Sequence, residues 1–125
     1  MPNFLIAGMG GFIGSALRYL LSGWVQRFCG EPWFPYGTLS VNMIGCLLIG
    51  LLGGLADNRG VFSHEVRLFI ILGMLGGFTT FSTFGYETLA LFRDQQIFLA
   101  LVNVSVHVVL GVFAAWLGYT ISNWA

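Results

Sequence analysis

Four long apolar stretches alternate with short polar ones along this chain: residues 3–25, 36–56, 66–92 and 97–123. At about 20 residues per crossing, each reads as a membrane-spanning helix. The connections are brief. Residues 26–35 carry Arg27, Glu31, Pro32 and Pro35, and Pro35 stops any helix ahead of the second stretch. Residues 57–65 carry Asp57, Asn58, Arg59 and Gly60. Only Arg93, Asp94, Gln95 and Gln96 separate the third stretch from the fourth, which predicts a tight antiparallel hairpin. Nothing resembles a linker, so residues 1–125 read as a single four-span domain.

The third stretch disturbs its own pattern. From Gly73 to Phe84 the chain reads Gly-Met-Leu-Gly-Gly-Phe-Thr-Thr-Phe-Ser-Thr-Phe. Glycine in a helix interior costs about 1 kcal/mol relative to alanine, and the β-branched Thr79 and Thr80 follow at once. A break at Gly76–Gly77 is therefore predicted. In lipid, non-helical backbone is tolerated only where protein or a wet cavity covers it, and unwound backbone is how transport proteins build ion sites. The prediction is an all-α membrane protein whose third helix is broken mid-membrane at an ion site.

Composition narrows the class. The chain is 57% hydrophobic and 8% charged, against about 25% charged in soluble domains, and its mean hydropathy is +0.85. It has no lysine and no net charge, which excludes a nucleic-acid footprint and a polybasic lipid-binding segment. Cys29 and Cys46 have no metal-ligand spacing. The N-terminus lacks a charged leader, so the first stretch is expected to be a retained span. Glycines at four-residue spacing (Gly10 and Gly14, Gly50 and Gly54, Gly73 and Gly77) predict close helix approach. Trp24, Trp33, Tyr36, Trp116, Tyr119 and Trp124 lie near span ends, at interfacial-belt positions. With four spans, Arg59 and Arg67 fall on one side, and Arg18, Arg27 and Arg93 on the other. That is almost no orientation bias. Such a chain could insert in both directions, which would allow an antiparallel dual-topology homodimer, and an oligomer is expected because four helices alone struggle to enclose a pore.

Polar side chains inside the spans are costly in lipid and mark candidate function. Asn42 shares a face with Thr38, and is either an interhelical hydrogen bond or a donor to an anion. Phe81 and Phe84 share a face too. They are either core packing or a pair of positive ring edges that meet a small anion weakly enough for conduction. Ser82 and Thr83 flank them. Glu87 is either an ion or proton ligand or an interfacial carboxylate paired with Arg93 or Arg18. Arg18 either snorkels to the headgroups or forms a cationic vestibule. In the fourth span, Ser105 and His107 are two apart and cannot share a face; His107 is either a packing histidine or a ligand. No nucleophile–base spacing, HExxH or phosphate loop is present, so an enzyme is not expected.

The string Gly76-Gly77-Phe78-Thr79-Thr80-Phe81-Ser82-Thr83-Phe84, with Glu87 three residues on, resembles the third-span signature of the Fluc (CrcB) fluoride channels. Gly37-Thr38-Leu39, Asn42 and Gly45 resemble that family's second-span motif, and Gly10-Gly11-Phe12-Ile13-Gly14 with Arg18-Tyr19 resembles its first. The resemblance implies a bacterial inner-membrane, antiparallel homodimer that passes fluoride passively out of the cytoplasm and lowers its toxicity. It implies a structural, untransported Na⁺ held by the backbone carbonyls of Gly76 and Thr79. Phe81 and Phe84 would form an aromatic box, Asn42 would donate to the ion, and Thr38, Ser82, Thr83 and Glu87 would form a polar track. The fourth span departs from the family pattern, with Ser105 or His107 where small hydroxyl residues are expected. Two rivals remain. A small proton-coupled multidrug exporter would need an acidic residue in the middle of the first span, and none is there; a non-transporting assembly subunit would have no use for a hydroxyl-rich break.

Overall fold

The computed structural model describes residues 1–30 and 34–124, and the described residues are helical with no strand. Glu31, Pro32 and Trp33, placed above in a connection and an aromatic belt, lie outside them. Helix α1 spans Asn3–Cys29 and α2 spans Tyr36–Arg59. The third crossing is composite: α3 (His64–Val66), a wide π-helical stretch (Arg67–Leu75), α4 (Gly76–Phe78) and α5 (Phe81–Arg93). Helix α6 spans Ile97–Trp124. Four segments, Asn3–Cys29, Tyr36–Arg59, His64–Arg93 and Ile97–Trp124, are long and apolar enough to cross a membrane. Helices α1 and α2 stop where Gly30 and Gly60 take left-handed φ of 70° and 59° and close onto the preceding turn. Pro35 immediately precedes α2.

Glycine decides which helices meet. A Cβ at Gly10 would land on the Phe69 carbonyl, and one at Gly14 on the Met74 carbonyl. From the other side, a Cβ at Gly77 would meet the Gly11 carbonyl at 2.7 Å. So α1 lies against the π-helical stretch and α4 backbone to backbone. The same logic joins α2 to α6, since a Cβ at Gly50 would strike the Ala115 carbonyl and one at Gly118 the Leu47 carbonyl. Such approach lets short-range packing act where lipid removes the hydrophobic drive between helices. Gly14→Val is expected to cost about 3 kcal/mol, the upper end for over-packing. Thermal unfolding of the purified variant measures it, and an unshifted melting temperature would mean that the helices have room to part.

The hairpin between the third and fourth spans is only partly as expected. Its turn is tight, closed by Asp94 N–H to Ala90 O at 3.0 Å and Gln96 N–H to Leu91 O at 2.8 Å. Yet α6 packs chiefly along α2, not α5. The small faces of α2 and α6 fit each other, whereas α5 presents bulky rings. Large apolar side chains such as Phe12, Leu72, Phe98 and Val112 stand on the outer surface, a placement that suits lipid as the solvent.

The low helix propensity of Gly76–Gly77 predicts the break there, but that pair is helical, with Gly76 at φ −62°, ψ −39°. The backbone extends two residues later, at Thr79 (φ −93°, ψ 158°) and Thr80 (φ −151°, ψ 123°). Gly77 serves close packing against α1 while Gly76 has open space beside it, and hydrogen-bond partners elsewhere in the fold set the extended pair.

Candidate functional site

Asn42 on α2 meets the extended pair directly. Its Nδ2 donates to the Thr80 carbonyl at 3.1 Å, and its Oδ1 accepts from the Thr80 N–H at 2.9 Å. The side-chain amide thus stands in for the helical acceptor that the Thr80 N–H has lost, and adds a donor to the carbonyl of the residue that caps α5. The Thr80 hydroxyl then caps α5: it accepts from the Thr83 N–H at 3.3 Å and donates to the Thr83 hydroxyl at 3.2 Å.

These bonds release two carbonyls. In a continuous helix the Gly76 carbonyl would take the Thr80 N–H, and the Thr79 carbonyl would take the Thr83 N–H. Both N–H groups are engaged elsewhere, by Asn42 and by the Thr80 hydroxyl. Gly76 is exposed with open space beside it, so hard oxygen donors are presented at the C-terminal, negative end of a helical segment. That donor set fits a hard monovalent cation, and among the described residues no group of three His, Cys, Asp or Glu offers another metal site. Arg18 reaches the same region: its Nε donates to the Gly77 carbonyl at 3.0 Å, filling a third position whose helical donor the extension displaces.

Beside the extended pair lies a cavity of about 390 Å³. Its wall includes Asn42, Thr79, Thr80, Phe81, Phe84 and His107. The Phe81 and Phe84 rings lie 5.5 Å apart between centroids, tilted by 52°, so an edge as well as a face is available. Phe81 is 82% exposed. Phe84 lies 4.3 Å from the His107 ring, which brings α6 into the site. Ser105 is exposed and is not among the cavity residues; of the two fourth-span candidates, His107 is the one that faces inward.

The remaining candidates extend away from this centre. Ser82 is exposed, with its hydroxyl 3.4 Å from that of Thr80. Thr83 is half-buried under the Thr80 cap. One turn on, half-buried Glu87 has its carboxylate against buried Thr38 on α2, while Glu87 Oε1 is buried without a partner. Two contributors lack a role in the pattern of the sequence. Thr80 supplies both the clasped peptide and the cap. Asn103, fully buried at 0% exposure, donates to the Thr88 hydroxyl at 2.9 Å and offers its carbonyl to His107 Nδ1 at 3.0 Å. The four-residue spacing of Asn103 and His107 is the signal that would have found it.

The chain matches the family model described as "CrcB-like protein, Camphor Resistance (CrcB)" over residues 5–119. It is 44% identical to a protein of Methylobacillus flagellatus over 119 residues, covering 95% of this chain and 93% of that one. It is 45% identical to a protein of Geobacter sulfurreducens over 118 residues, covering 94% of each. A Methanosarcina barkeri protein is 42% identical over 122 residues, covering 98% of this chain and 91% of its own. The first two bear the name "Fluoride-specific ion channel FluC" and the third "Fluoride-specific ion channel FluC 3"; all three are named as channels, not enzymes.

Proposed function

The chain belongs to the CrcB family, and from that premise we propose that it is a passive, fluoride-selective channel of the bacterial cell membrane that lets fluoride leave the cytoplasm. The observation that carries this is the meeting of opposite helix ends at Thr79–Thr80 beside an aromatic cavity. The α5 N-terminus turns its positive end toward the cavity, and α4 turns its negative end toward the freed carbonyls. Anion and cation thus find separate places at one break in the third crossing, at mid-membrane depth.

Fluoride is small and hard, and holds its water tightly. A pathway for it must replace that water with weak, successive contacts. The Asn42 amide and the Phe81 and Phe84 ring edges supply them, and Thr38, Ser82, Thr83 and Glu87 continue the track. The carbonyls of Gly76 and Thr79 would hold a structural Na⁺, whose charge offsets the helix-end dipoles. The near-balanced arginines and the 82% exposure of Phe81 support an antiparallel homodimer in which a second copy covers that ring. Arg18, tied to Gly77, sets a fixed positive charge near the dimer's ion sites.

Efflux from liposomes, followed with fluoride and chloride electrodes in parallel, tests the function. Fast fluoride release with chloride retained is the expected result, and release of neither ion from verified dimers would overturn it. Replacing sodium on both sides with a large organic cation is expected to slow release. Full activity in dimers depleted of sodium would remove the carbonyl site from the mechanism. A proton-coupled exporter would need release to follow a pH gradient, and the middle of α1 offers no acidic residue for that coupling.

A further inference from the structure

His107 is held by two groups of known polarity. Its Nδ1 lies 3.0 Å from the Asn103 carbonyl, which can only accept, so Nδ1 carries a hydrogen. Its Nε2 lies 3.2 Å from Asn42 Nδ2. The Asn42 amide cannot turn, because Thr80 fixes both ends of it: the peptide N–H requires Oδ1 and the peptide carbonyl requires Nδ2. In this arrangement the imidazole is neutral, and Nε2 accepts the second Asn42 hydrogen. Both hydrogens of the amide are then engaged, one on Thr80 and one on His107.

We propose that Asn42 Nδ2 and His107 Nε2 form a proton-operated subsite for a small, hard anion. When a proton from water adds to the Nε2 lone pair, the ring becomes an imidazolium and the Asn42–His107 hydrogen bond is lost. Two N–H donors then face the same point on the cavity wall beside a positive charge, and an anion bridges them. The Nδ1 bond to Asn103 survives protonation, so the ring stays in place. Phe84, with its centroid 4.3 Å away, lies within the roughly 6 Å over which an aromatic face favours a cation. Competing charges are few. Among the described residues lining the cavity, Cys46 on α2 is the other titratable side chain. On α5, Glu87 lies one turn past Phe84 and is directed to Thr38, and Arg18 on α1 is engaged by Gly77. The sign follows directly: acid strengthens the anion site, and alkali closes it.

The subsite deepens the fluoride reading and rests on it, so two measurements keep their failures apart. The first is fluoride efflux at constant sodium, at about pH 5.5 and about pH 8, on either side of the ordinary histidine value near 6.5. Leak from protein-free vesicles is subtracted at each pH. Wild-type flux is expected to rise several-fold toward acid, and His107→Gln, which puts a polar amide in place of the ring but cannot take up the proton, is expected to be flat. The second is the His107 imidazole titration, followed by nitrogen NMR with and without potassium fluoride. Because coupling is reciprocal, tenfold tighter binding to the protonated form raises the midpoint by about one pH unit. A midpoint indifferent to fluoride, or an acid response kept in His107→Gln, overturns the proposal. Absence of flux at every pH sinks the channel reading, and the titration still decides the subsite.

Discussion

Phe81→Ile is expected to lower fluoride flux by at least about tenfold while leaving an assembled dimer. The ring is 82% exposed and meets Phe84 at 5.5 Å, so isoleucine opens no hole in the protomer and keeps an apolar surface there. What it removes is the positive ring edge. Aromatic edge contacts are worth about 0.5–1.5 kcal/mol each, and a tenfold change needs about 1.4 kcal/mol. Losing one ring from each copy of the proposed homodimer would therefore reach the predicted effect. Liposome efflux, with size-exclusion chromatography of the same sample, makes the measurement. Wild-type flux from an intact dimer would take Phe81 out of the pathway.

Asn42→Ala is the second large effect, and it acts on backbone as well as on the ion. It removes the donor and acceptor clasping Thr80 and the amide facing His107. In a bilayer one such bond is worth about 0.6 kcal/mol, but a buried peptide group left unpaired costs about 1–3 kcal/mol. With the clasp gone, the Thr80 N–H is free to return to the Gly76 carbonyl. The crossing then tends toward continuous helix and the carbonyl pair is lost. Flux and sodium dependence should fall together, with a melting temperature below wild type. Asn42→Asp separates the two roles, because a carboxylate still accepts from the Thr80 N–H but no longer donates. Retained flux and an unshifted melt in Asn42→Ala would show that Thr80 keeps its geometry unaided.

Much of the site was legible as a set of residue types. Asn42, Phe81, Phe84 and Thr38 stand out because polar or aromatic residues at helical spacing inside an apolar span need a reason, and the third-span string resembles one family closely. Roles were harder to read. Asn42 was open between an interhelical bond and an ion donor, and its contacts make it first a clasp on the Thr80 backbone. His107 could not be separated from Ser105 by spacing alone, because facing is decided by which neighbour α6 packs against.

The sequence by itself determined the class: 57% hydrophobic residues in four helix-length stretches have no stable solution in water and one simple solution in lipid, where each helix satisfies its own backbone. It also marked Gly10, Gly14 and Gly50 as points of close approach, since only glycine lets two backbones touch, without saying which helix each one meets. The position of the extended pair was left to the tertiary structure. Propensity measures how weakly Gly76–Gly77 holds a helix, whereas leaving the helix requires another partner for each released peptide group. That partner is Asn42, 38 positions from Thr80, and it arrives only once α2 and the third crossing have packed. The joining of α6 to α2, and of His107 to Asn42, has the same cause: hydrogen bonds and close packing between distant segments exist only in the assembled bundle.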